Sequence, residues 1–146
     1  MIEGVTATPL KIIATPGGDV YHGIRNDDPG YVGFGEAYFS SVLEGTVKPW
    51  KRHRRMTLNL IVIHGLIRFV VHDDRRQSAT CGVTTEYRMG PSDFYGRLTV
   101  SPGLWMAFQG LASGASFLLN VASIPHDPTE ADRHACDAFP FDWSSK

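Results

Sequence analysis

An all-β barrel or sandwich is the fold this chain predicts, on two observations. Short runs rich in Val, Ile, Leu, Phe, Tyr and Thr recur along it, and turn signals separate them at close intervals. The turns are marked by Pro16-Gly17-Gly18-Asp19, Asn26-Asp27-Asp28-Pro29-Gly30, Glu44-Gly45, Asp73-Asp74, Met89-Gly90-Pro91 and Ser101-Pro102-Gly103. Strands are expected over residues 10–14, 19–24, 36–42, 80–87, 97–100, 105–110 and 116–122. The strongest run, residues 58–71, is two apolar stretches broken at His64-Gly65 and reads as a hairpin. One short C-terminal helix is expected. Asp127-Pro128-Thr129-Glu130 offers an N-cap Asp, Pro at the first helical position and Glu at N3, and the helix would continue through His134. His126 would help position this capping turn. The tail from Phe139 to Trp143 is too aromatic to remain in water and is expected to dock on the barrel.

The 146 residues fit one domain, 1–146, with no repeat and no linker. A chain of this length can bury a core without disulfides or a structural metal. A net charge of −1 with 20% charged residues argues against a dedicated nucleic-acid or membrane-surface protein. No apolar run reaches the roughly 18 residues of a membrane span. The first residues, Met1-Ile2-Glu3-Gly4, lack the pattern of a signal peptide. Cys81 and Cys136 have no metal-like spacing and read as reduced thiols, so a cytoplasmic location is expected.

The stretch from Gly45 to Gly65 carries the chemistry. Gly45 is followed by five residues, then Lys51, Arg52, His53, four residues, Leu58, six residues and Gly65. This is the frame of the first cupin motif, in which Lys51 stands at the first His and Leu58 at the Glu. Ser101-Pro102-Gly103-Leu104-Trp105-Met106 resembles the second motif, with Met106 at its His. A zinc, iron or manganese site needs several imidazoles and carboxylates. A protonated Lys, a Leu and a soft thioether do not supply them, so neither metal nor other cofactor is expected.

With that frame located, the chain resembles the dTDP-4-dehydrorhamnose 3,5-epimerase (RmlC-like) cupin family, with local similarity to the sugar-nucleotide 3,4-ketoisomerases. The resemblance covers residues 10–25, 36–75, 97–110, 116–128 and the tail. It implies a cupin-type β-barrel, or jelly roll, acting without metal on a nucleotide-linked 4-keto-6-deoxy sugar. It also implies a homodimer with exchanged N-terminal strands. Where epimerases carry a phosphate-binding Arg and, three residues on, the catalytic His, this chain has Lys48 and Lys51. The ketoisomerase His-Ala-His reads Lys51-Arg52-His53. Glu36 and Tyr38 fall at positions that contact the nucleotide, His22 falls where a glutamate is common, and the general-acid Tyr falls near Ile124.

Lys51 and His53 alternate on an expected strand, so both side chains share a face. Moving a proton beside a ketone requires a base and an acid. His53 suits the base near neutral pH. Lys51 could be a desolvated base or could stabilise an enolate oxygen. Lys48, Arg52 and Arg54 belong to a run of five cations suited to a diphosphate, with Arg97 as a second phosphate contact. Trp105 either stacks on the nucleotide or belongs to the barrel wall. Asn59 is a candidate support behind the site, and His64 an exposed turn residue. Two readings stay open: an epimerase or ketoisomerase of polysaccharide biosynthesis, or an altered cupin that only binds a nucleotide sugar or similar anion.

Overall fold

The computed structural model describes residues 1–144, and the order is all strand. The strands are β1 (Val5–Pro9), β2 (Ile12–Ile13), β3 (Val20–Tyr21), β4 (Glu36–Leu43), β5 (Val47–His53) and β6 (Leu58–His64). They continue with β7 (Ile67–His72), β8 (Thr84–Met89), β9 (Gly96–Val100), β10 (Trp105–Gly110), β11 (Ala115–Ala122) and β12 (Ala131–Arg133). Two five-stranded antiparallel sheets face each other, in the orders β1-β9-β6-β11-β4 and β12-β5-β10-β7-β8, and β2 and β3 form a separate ribbon. This is the cupin-type jelly roll expected of the frame.

The two inner faces meet in one apolar core. Leu58, Leu60 and Val62 of β6 meet Ile67, Phe69 and Val71 of β7, together with Leu98, Val100, Met106 and Leu118. Every second residue of each strand supplies this layer, as the pleat requires. Both β6 and β7 are buried on their outer faces too. Over β6 lies the loop through residues 23–30: Asn59 Nδ2 donates to the Gly30 carbonyl at 3.2 Å. Over β7 lies the C-terminal tail. Trp50, Val70, Trp105 and Ala107 form a second cluster closed by Phe139, Phe141 and Trp143, so the aromatic tail docks as expected. Trp50 Nε1 donates to the Cys136 carbonyl at 3.1 Å, and Phe139 stacks on His72 at 4.2 Å.

Three local expectations are corrected. Residues 58–71 are not a hairpin, because β6 and β7 lie in different sheets and pair with other strands. The turn between them is an arch over the end of the core, and His64 is exposed there. Residues 5–9 form a strand that the run starting at residue 10 did not indicate. It has little apolar content and is held by pairing Val5–Pro9 with Val100–Gly96 of β9.

The C-terminal helix is absent from the described residues. Residues 127–130 make a turn in which Asp127 Oδ1 accepts from the Thr129 N–H at 2.9 Å and its hydroxyl at 2.7 Å. The chain then enters β12 as an edge strand on β5. Helix initiation would need the Glu130 carboxylate to turn back to its own N-terminus. That carboxylate is instead committed to β5, and a single turn has too little cooperativity to compete with it.

The arch depends on Gly65. Its φ is +77°, and a Cβ there would sit 2.3 Å from Ser116 Oγ and 2.9 Å from Ser116 Cα. The second contact is to backbone and has little room to give. Gly65→Ala is expected to lose at least about 2 kcal/mol in urea unfolding, the sum of left-handed strain and overpacking. A loss under about 0.5 kcal/mol would show that the arch tolerates a side chain.

Candidate active site

The barrel interior opens at one end into a cavity of about 410 Å³, within the roughly 300–1,000 Å³ usual for small-molecule sites. Register brings its polar groups together. On the second sheet, Met106, Lys51 and Arg133 are directly opposed across β10, β5 and β12, and all three line the cavity. On the first, Asn120 and Tyr38 are opposed across β11 and β4 and face it from the other side. His53 lies two residues beyond Lys51 on the same face.

Strand alternation alone would send Lys48 to the outside. It lines the cavity because β5 carries a bulge: Lys51 pairs with Met106 and Lys48 with Phe108, leaving Pro49 and Trp50 opposite Ala107. One extra residue reverses the parity of the strand. Proline, lacking an N–H for the ladder, suits the bulge position. The same bulge keeps Trp50 turned outward, into the cluster beneath the tail.

His53 is held from behind. Its Nδ1 lies 2.6 Å from Glu130 Oε2, in a place where the two residues are 7% and 3% exposed. The other carboxylate oxygen, Oε1, accepts from the Met56 N–H at 2.9 Å and from the Arg55 N–H. Burial opposes the charge on Glu130, but the bonds from His53, Arg55 and Met56 outweigh it and hold its pKa below the ordinary value. The carboxylate therefore accepts from Nδ1–H and leaves Nε2 as the nitrogen available to the cavity. Burial is also the largest influence on His53, pushing its pKa below 6.5 against the raising effect of Glu130. The imidazole is neutral at neutral pH and can take a proton.

Burial likewise lowers Lys51, helped by the Arg133 charge and opposed by Glu130 and Glu36. Lys48, Lys51 and Arg133 make one wall of the cavity cationic. Leu58, Leu60, Met106, Phe108 and Leu118 make much of the rest apolar. Among the described residues, no three His, Cys, Asp or Glu side chains converge as a metal set.

Of the residues singled out in the sequence, Lys48, Lys51, His53 and Tyr38 share the cavity. Glu36 precedes Tyr38 by two on β4 and does not line the cavity, though its charge acts on Lys51. Four others lie elsewhere. Arg52 and Trp105 are cross-strand partners on the outer face, where the guanidinium sits 4.5 Å over the indole and bonds Asp74 and Asp132. Arg54 is exposed and bonds Asp132 and the Thr129 carbonyl. Arg97 faces out of the first sheet and clamps the covering loop through Asp28, at 3.0 Å, and the Gly23 and Pro29 carbonyls. The residues that sequence reasoning missed are Glu130, Arg133, Ser40 and Asn120. Glu130 and Arg133 were read as helix, and Ser40 and Asn120 carry no local motif.

No protein-family model matches the chain, and none of the curated proteins matches it. Solved structures do. A dTDP sugar isomerase from Desulfovibrio desulfuricans G20 is 37% identical, with a TM-score of 0.94 over 99% of this chain and 94% of that one. NovW, a 4-keto-6-deoxy sugar epimerase from Streptomyces spheroides, is 23% identical, with a TM-score of 0.84 over 99% of this chain and 76% of that one. QdtA, a sugar 3,4-ketoisomerase from Thermoanaerobacterium thermosaccharolyticum, is 18% identical, with a TM-score of 0.75 over 92% and 90%. The last two likenesses are of fold alone.

Proposed function

We propose that this chain, which belongs to the RmlC-like cupin family of dTDP-sugar isomerases and epimerases, moves a proton beside the ketone of a nucleotide-linked 4-keto-6-deoxy sugar, as an epimerase or ketoisomerase of polysaccharide biosynthesis. The observation that carries the reading is the buried His53–Glu130 pair, which turns a neutral imidazole nitrogen toward a cationic cavity. Nε2 takes the proton from the carbon next to the ketone. The C–H electrons become the enolate double bond, and the carbonyl electrons move to oxygen. Lys51 stands on the strand beside His53, placed to hold that oxygen's charge. Lys48 and Arg133 suit the diphosphate, and the apolar wall suits the 6-deoxy carbon and the sugar ring. We place the reaction in the cytoplasm, in keeping with two free cysteines.

One observation favours the binding-only alternative. Ile124, near which the resemblance puts the epimerases' acid Tyr, packs against the core. The two readings separate in deuterated water with dTDP- and GDP-linked 4-keto-6-deoxy sugars. The expected outcome is deuterium at the carbon beside the ketone, with exchange lost in His53→Asn and reduced about 10²–10⁴-fold in Glu130→Gln. Exchange should fall on acidification with a midpoint below 6.5, because a protonated imidazole cannot accept. Calorimetric binding of these sugars with no exchange across the panel would establish the alternative.

We further propose a homodimer. β4 is an edge strand whose outer face exposes Phe39 and Leu43, at 64% and 62%, beside Phe117 and Ile63. The β2–β3 ribbon exposes Ile12, Ile13, Val20 and Tyr21. Apolar groups at an open sheet edge call for a cover. Within one chain β1 pairs with its own β9, and strand exchange would place it on the partner's. Phe39→Asp with Leu43→Asp is expected to shift the mass by light scattering from dimer to monomer. A wild-type monomer at micromolar concentration would refute this.

A further inference from the structure

The cavity has a base on one wall, and the stretch Ser123-Ile124-Pro125, near which the resemblance puts the usual acid, holds no Tyr. Epimerisation needs the proton to return from the face opposite the one it left. On the wall facing His53, the first sheet presents the opposed pair Tyr38 and Asn120. Asn120 is 1% exposed, and its Nδ2 donates to the Tyr38 hydroxyl oxygen at 3.0 Å. This is the single hydrogen bond of that hydroxyl among the described residues. Its oxygen is thus occupied as an acceptor, and its own hydrogen is left for a group in the cavity. Asn120 Oδ1 is buried with no partner, a second unfilled valence on the same wall. Burying an unpaired acceptor costs about 1–3 kcal/mol, so a donor on a bound molecule would relieve it. Tyr38 itself is 40% exposed at the cavity mouth, in contact with solvent protons.

We infer that Tyr38 is the general acid of the reaction, oriented by Asn120, and that the chain has moved this role from near Ile124 to β4. The inference rests on the proton-transfer reading above. After His53 has taken the proton, the enolate electrons re-form the ketone while the carbon takes the Tyr38 hydrogen on the opposite face. The O–H electron pair stays on Tyr38 as phenolate. Solvent returns a proton to the phenolate, and His53 releases one. Asn120 Nδ2, donating to the phenolate oxygen, stabilises its charge, and Asn120 Oδ1 is placed to accept a sugar hydroxyl.

The test compares hydrogen exchange with product formation. A 4-keto-6-deoxy sugar nucleotide that the wild type turns over is followed by NMR in deuterated water. Tyr38→Phe is expected to keep exchange within about threefold of wild type while epimerised product falls about 10²-fold or more. Asn120→Asp should act in the same direction, because an ionised carboxylate only accepts and would hold the Tyr38 hydrogen for itself. Exchange surviving in either variant also proves that it folds. Product formation in Tyr38→Phe within threefold of wild type overturns the inference, as does a parallel fall of exchange and product. A wild type that exchanges nothing across the panel overturns the underlying reading and this inference with it. A silent Tyr38→Phe beside an active wild type overturns the inference alone.

Discussion

The Glu130 carboxylate joins the C-terminal segment to the barrel and to its interior. Almost wholly buried, it accepts from His53 on one oxygen and from two consecutive backbone N–H groups on the other. Breaking such a buried charged set by removing one member costs on the order of 3–5 kcal/mol. That exceeds what a short exposed helix could return through capping, about 1 kcal/mol. Residues 127–130 therefore turn, and β12 extends the second sheet rather than leaving it. Arg133 reaches the cavity as a consequence, opposite Lys51 in the register.

The cavity is built by parity. Inner rows of the two sheets supply its lining, and outer rows supply the clamps that hold the sheets covered. Arg52 on the outer row is held between Asp74 and Asp132 and over Trp105, while Lys51, its neighbour, is inside. The bulge at Pro49-Trp50 changes the parity once and so places Lys48 and Lys51 on one face and Trp50 on the other. A basic run of sequence is thereby divided into cations that can meet a ligand and cations that hold the tail and the loops.

Much of this was legible before the fold was known. The spacing from Gly45 to Gly65 marked the turn at His64-Gly65, though as a hairpin and not as an arch between sheets, and the alternation of Lys51 and His53 put both on one face. Those are local regularities, and local pattern carries them. Glu130 was visible only as a helix cap, because its partners lie 74 to 77 residues away. Arg97 and Trp105 looked like ligand contacts since their types suit phosphate and base. Which face of a strand they occupy depended on the register of strands not adjacent in sequence. The pairing of Tyr38 with Asn120, 82 residues apart, had no local signature either.

The claim on which the rest stands is that Glu130 holds His53 as the neutral tautomer with a bare Nε2 in the cavity. Nitrogen-15 NMR of the imidazole at neutral pH measures this most directly. The expected spectrum has a protonated Nδ1 coupled to a strong hydrogen bond and an unprotonated Nε2. A proton on Nε2, or an imidazolium with both nitrogens protonated, would contradict it.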